Sequence, residues 1–104
     1  MSLPFTIAVG TAALLLATSS SMAQAPATYT AKCQMCHGAT GRGDTPAGKA
    51  MGAHPFNSPD VIKQSDAALT AVIKDGKAKM PPFAGKLTDA EMAALVTYIR
   101  ALQK

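Results

Sequence analysis

Apolar and polar positions divide the chain into an apolar opening and a remainder that is apolar only at helical intervals. Residues 5–17 form the opening run, with Ile7, Val9 and Leu14-Leu15-Leu16, and small residues continue from it to Ala23. Further on, Tyr29, Cys33 and Cys36 recur at i, i+4 and i+7, which predicts a first helix over residues 26–36, entered through Pro26 and stopped by Gly38. Gly41, Gly43, Pro46 and Gly48 show no periodicity and predict a loop. Ser58-Pro59-Asp60 places a capping residue before a proline and predicts a short helix to about Gln64. Ser65 or Asp66 starts another, with Leu69, Val72 and Ile73 on one face and Gly76 as its stop. The last helix opens on the capping box Thr88-Asp89-Ala90-Glu91 and carries the stripe Met92, Leu95, Val96, Ile99 and Leu102. No stretch alternates as a strand does, so the fold class expected is all-α, with about four helices.

The opening run has the layout of a secretory signal peptide: an apolar core closing on small residues, with cleavage expected after Ala23. It lacks Lys or Arg at its start. A retained membrane anchor is the competing reading, although the run is short of the ~20 residues a span needs and is interrupted by Thr6, Gly10 and Thr11. Either reading puts the rest outside the cytoplasm, in the periplasm of a Gram-negative cell. The expected organisation is a signal peptide over residues 1–23 and one domain over residues 24–104. All 10 Lys and Arg and all 6 Asp and Glu lie beyond residue 31, so the net charge of +4 belongs to that domain. Without Trp, and with cysteines only at Cys33 and Cys36, so small a domain needs a staple from outside its own core.

Cys33-Gln34-Met35-Cys36-His37 offers one. Two thiols about one helical turn apart reach the two vinyl edges of one porphyrin, and the imidazole next to them falls under its iron; the spacing is that of c-type haem attachment. Cys33 and Cys36 are therefore expected to carry one covalent haem c, with His37 as an axial iron ligand. A thiol-disulfide motif would need a strand-rich context that is missing here, and a zinc site would have to draw its four ligands from Cys33, Cys36, His37 and His54. A carbonyl from the region of Pro46 is expected to accept the second ring N–H of His37.

Lys79-Met80-Pro81-Pro82-Phe83 is the second constellation. Proline keeps Met80 out of the helical region and the two prolines stiffen the segment, a good way to present a thioether to iron. Met80 is the expected second axial ligand. Met51, Met92 and His54 are its rivals, but Met92 lies in the core stripe and His54 would give a lower-potential site.

With these residues in view, the chain resembles a class I monohaem cytochrome c of the short bacterial type, similar to the c-551/c-552 and cytochrome c6 group. The resemblance covers most of residues 26–103 and rests on Cys33-x-x-Cys36-His37-Gly38, Tyr29, Met80-Pro81-Pro82-Phe83 and a last helix bearing Leu95 and Tyr98. It implies a small cytochrome c fold wrapped around one haem, and a contact between the regions of Tyr29 and Tyr98 where the first and last helices cross. The chain departs from the pattern at Ala25, where glycine is common, and over residues 52–57, which leaves the role of Phe56 open.

An iron with His37 and Met80 on its two faces has no vacant position, so the expectation is an electron carrier rather than an enzyme. Lys74, Lys77, Lys79 and Lys86 fall near the Met80 loop and would steer an acidic redox partner if they ring the haem edge. A membrane span after processing and a nucleic-acid partner are not expected, and a monomer is. The alternative is a cytochrome subunit or dedicated electron acceptor of a periplasmic dehydrogenase, recognisable by an apolar docking patch. A small haem enzyme or gas sensor would instead need a labile sixth position.

Overall fold

The computed structural model describes residues 2–4, 10 and 20–104. Most of the expected signal segment lies outside the described residues. Six helices succeed one another: α1 (Ser21–Lys32), α2 (Gln34–His37), α3 (Pro46–Met51), α4 (Pro59–Ile62), α5 (Asp66–Asp75) and α6 (Asp89–Leu102). The described residues contain no strand, only isolated bridges at Lys77–Met80 and Ala84–Leu87. None of their helices is long and apolar enough to cross a membrane.

The count exceeds four for two reasons. The expected first helix starts earlier, capped by the Ser20 hydroxyl, and breaks at Cys33 before resuming as α2. The expected glycine-rich loop contains α3, whose start is set by Thr45 as N-cap and Pro46 in the first turn. The expected cleavage position after Ala23 falls in the first turn of α1.

The α1–α6 pair is the principal packing contact. Small buried side chains occur on both partners, Ala25 and Ala94, and Tyr29 of α1 lies 5.0 Å, centroid to centroid, from Tyr98 of α6. The expected helix crossing is thus present, with alanine in place of glycine. Met92, Leu95 and Val96 of the predicted stripe are fully buried, joined by Leu69 and Ile73 of α5. Burying such side chains contributes roughly 1.5–3 kcal/mol each. Arg100 ties the α4–α5 junction to α6: its guanidinium donates to the carbonyls of Ile62 and Gln64 and, at 2.9 Å, to the Asp66 carboxylate.

Candidate functional site

Beside this core lies a cavity of about 650 Å³, and Cys33, Cys36, His37 and Met80 all contribute to its wall. Leu69, Ile73, Leu95 and Ile99 give it an apolar floor continuous with the core.

The His37 side is built by α2 and the segment after it. The Tyr29 hydroxyl, fully buried, donates to the Gly38 carbonyl at 2.6 Å, and the Gly43 N–H donates to the His37 carbonyl at 2.8 Å. Thr45 donates its hydroxyl to the Met35 carbonyl at 2.6 Å and accepts from the Gly48 N–H at 2.9 Å, so it caps α3 and binds α3 to α2. Gly48 lets the two approach: a Cβ there would collide with the carbonyl oxygen of Cys36.

Phe56 stacks on the His37 ring, centroids 4.6 Å apart and planes 24° from parallel, and meets Tyr29 edge-on. The imidazole is therefore oriented by an aromatic face. The expected carbonyl partner is not there: His37 Nδ1 is buried without a hydrogen-bond partner. Pro46 opens a helix, so its carbonyl points along the axis of α3. Burial lowers the pKa of His37, which keeps the imidazole neutral, the form that binds a metal. Burial likewise pushes the Cys33 thiol up to about 11 despite Lys32 beside it, the reverse of the depressed thiolate on which thiol-disulfide exchange relies. Among the described residues no group of three or more His, Cys, Asp or Glu is gathered closely enough to hold a metal ion.

Across the cavity, Met80 is presented by a tight turn. The Lys77 N–H donates to the Met80 carbonyl at 3.2 Å and the Met80 N–H returns a bond to Lys77 at 2.9 Å, with Ala78 at φ +52° between them. Gly76, at φ +75°, ends α5 as expected, and the turn folds so closely over it that a Cβ would sit 2.7 Å from the Met80 carbonyl oxygen. Beyond the prolines, the N–H groups of Phe83 and Ala84 donate to the carbonyls of Ile73 and Lys74 at 3.0 Å each, satisfying the open end of α5.

Of the rivals to Met80, Met92 lies in the core away from the cavity wall, whereas Met51 and His54 both reach the wall. Of the four lysines near the loop, Lys77 and Lys79 reach it, and Lys32 joins them from α1. Lys86 lies 5.9 Å over the Phe83 ring and Lys74 pairs loosely with Asp89. Sequence reasoning missed Thr45 and left Phe56 open. The Thr-Pro pair at 45–46 was a helix-start signal hidden among glycines; Phe56 carried none, because its contacts are long-range.

Two sulfurs, an imidazole and a thioether around one apolar cavity fit a haem: the thiols to carry it, the neutral imidazole and thioether to face iron. Comparison with known proteins agrees. The family model described as cytochrome C oxidase, cbb3-type, subunit III matches residues 20–99. The solved structure of the KustC0563 c-type cytochrome superposes with a TM-score of 0.71 at 34% identity, over 77% of this chain and 98% of that one. A tyrosine-to-phenylalanine mutant of that protein gives 0.69 at 32% identity, over 76% and 98%. A chain of the Kuenenia stuttgartiensis reducing HAO-like protein complex Kustc0457/Kustc0458 gives 0.70 over 81% of this chain and 44% of that one, a likeness of fold alone at 24% identity. The chain thus belongs to the cytochrome c family described by the cbb3-type subunit III model: it is a small c-type cytochrome, an electron carrier rather than an enzyme, and its cofactor is covalently bound haem c.

Proposed function

We propose that the chain is an exported, single-haem electron carrier, attached to its cofactor through Cys33 and Cys36 and using His37 and Met80 as axial ligands. The observation that carries this reading is the meeting of all four side chains at one apolar cavity. Bound haem supplies one-electron chemistry; the protein's residues fix both faces, exclude water and present an edge to a partner. A thioether opposite an imidazole favours the ferrous state and so raises the potential. Residues 1–23 are read as a signal peptide removed after Ala23, which places the carrier in the periplasm; shortening α1 there leaves Pro26 near the new helix start, where its missing N–H costs little.

The partner is a redox protein with an acidic docking face. Lys32, Lys77 and Lys79 in the cavity wall favour such a surface and a weak, salt-sensitive encounter. Met35 and Met51, 77% and 52% exposed on the same wall, favour a second reading in which the chain docks on a catalytic subunit through an apolar contact. Co-elution of native protein with such a subunit separates that reading from a freely diffusing carrier.

The test of the site is expression in cells competent for cytochrome maturation. Intact mass should exceed the processed polypeptide by one haem, and Met80→Ala should lose the low-spin thioether-type ferric spectrum while keeping that mass. A colourless product of bare-chain mass overturns the haem assignment, and an unchanged spectrum in the variant overturns Met80.

A further inference from the structure

The chain has two histidines, and both reach the wall of the same cavity. His37 is half-buried and accounted for. His54 is not: its side chain is 75% exposed, and its Nδ1 lies 3.7 Å from Oδ2 of Asp60, which also reaches the wall. The position is a fixed one. His54 sits between Gly52, the left-handed cap of α3, and Phe56, whose ring rests on His37 and whose N–H donates to the Gly41 carbonyl at 2.8 Å.

The charged groups facing the cavity are Asp60 at the start of α4, Lys32 of α1, and Lys77 and Lys79 of the turn after α5. A hydrogen bond from Ser58 first, then one from the Asp60 backbone N–H, hold the Asp60 carboxyl below the ordinary carboxylate range, so it stays anionic. Histidine is the side chain whose charge ordinarily changes between pH 5 and 8.

We infer that His54, with Asp60, is a tuning residue that couples the chain's electron transfer to a proton. The inference rests on reading the cavity as the haem site. The exchanging proton is the one that turns the neutral His54 imidazole into its cation. While it is held, its positive charge opposes the added positive charge of the oxidised site; when it leaves, oxidation becomes easier and the midpoint potential falls. By reciprocity the reduced protein holds that proton more tightly than the oxidised one. On reduction, one electron arrives from the redox partner and a fraction of a proton, set by pH, is taken from buffer onto the His54 imidazole; on oxidation both leave, and only that N–H bond is made or broken. Because His54 is exposed, salt weakens the coupling.

The test is the midpoint potential of the haem-loaded protein against pH, from 5 to 8 at low ionic strength. The wild type should fall with rising pH and level off at both ends, with a smaller drop in high salt. His54→Gln should remove the fall, and His54→Lys, which fixes a positive charge, should hold the potential flat and high. Asp60→Asn, which removes a negative charge from the wall, should raise the potential throughout. A flat wild-type profile, or a fall that survives unchanged in His54→Gln, overturns the inference. One-haem mass and colour of the same samples report separately on the underlying haem reading.

Discussion

On the His37 side of the cavity, distant parts of the chain reach in to hold the backbone: Tyr29 from α1, Thr45 and Gly48 from α3, and Phe56 from the segment beyond it. On the Met80 side the bonds are local. The turn closes on itself, its far end rests on the last carbonyls of α5, and among the described residues no side-chain hydrogen bond joins residues 77–86 to the rest. Loosening the first side therefore means separating packed elements, while the second can open on its own. The carrier reading gives the difference a use: the attachment side has to survive every cycle, and the thioether side sets how firmly the sixth position is held.

The largest effect is expected from Gly48→Ala. The added methyl collides with the Cys36 carbonyl oxygen and comes within 2.8 Å of that of Gly43, both backbone atoms that cannot swing aside. Overpacking of this kind costs roughly 1–3 kcal/mol, and here it pushes α3 off the attachment helix. Denaturant midpoint and haem yield should fall together. Gly76→Ala is its counterpart across the cavity, meeting the Met80 carbonyl oxygen at 2.7 Å and placing alanine at φ +75°. That φ, with ψ at 168°, lies in a region essentially reserved for glycine, and holding alanine there costs about 1–3 kcal/mol. Here haem yield should hold while the thioether-type spectrum weakens. Equal loss of haem in both variants would erase the distinction between the two sides.

Tyr29→Phe comes next. It keeps the ring against Tyr98 and Phe56 but strips the Gly38 carbonyl of a buried 2.6 Å bond, a loss of about 1–3 kcal/mol. Burial raises the Tyr29 pKa well above its ordinary value, so the phenol remains a donor across the neutral range and the loss should not vary between pH 6 and 9. Chemical denaturation at both ends of that range checks it, with the sixth ligand unaffected.

Legibility in the sequence divides along the same line. The attachment proposed here draws on five consecutive residues, and the Met80 turn on a stop glycine and two prolines, so both constellations were visible as short strings. The last helix was legible because Thr88 and Glu91 mark its start and its stripe is regular. The bracing of His37 escaped. Stacking by Phe56 and the thread from Thr45 to α2 join residues 10 to 19 apart through a loop that periodicity cannot order, and the carbonyl expected near Pro46 was lost because that proline starts a helix. Arg100 was equally silent: a lone arginine in an amphipathic helix does not announce that its partners are the carbonyls of Ile62 and Gln64.

A smaller effect, of opposite sign, is expected from Ala78→Gly. Alanine at φ +52° is strained, glycine is not, and glycine's extra freedom in the unfolded chain takes back part of the gain. The net should be a stabilisation below about 1 kcal/mol, seen less in the global denaturation midpoint than in slower displacement of Met80 by an added ligand such as imidazole. A change in the global midpoint with no change in displacement rate would argue that the turn is not a separately opening unit.

The smallest effect concerns where the Met80 segment ends. Leu87, buried at the cavity wall, runs directly into the capping box, in which Glu91 accepts from the Thr88 N–H at 2.9 Å and the Thr88 hydroxyl accepts from the Glu91 N–H at 3.1 Å. The backbone bond from Thr88 holds the Glu91 carboxyl below its ordinary value of 4.5. A carboxylate whose pKa is depressed by folding stabilises the fold above its unfolded value, and that contribution is lost as pH falls through the folded value, here from about pH 5 downward. Acid should therefore loosen this end of the segment before it touches the His37 side, and hydrogen exchange at the N–H groups of Thr88 and Met92 should rise before exchange at Gly43. Glu91→Gln keeps an acceptor for the Thr88 N–H without the titrating charge, so its exchange rates should lose that pH dependence. Were Gly43 to open at the same pH as Thr88 in the wild type, the segment would not be uncoupling locally, and the capping box would be reporting on the whole fold.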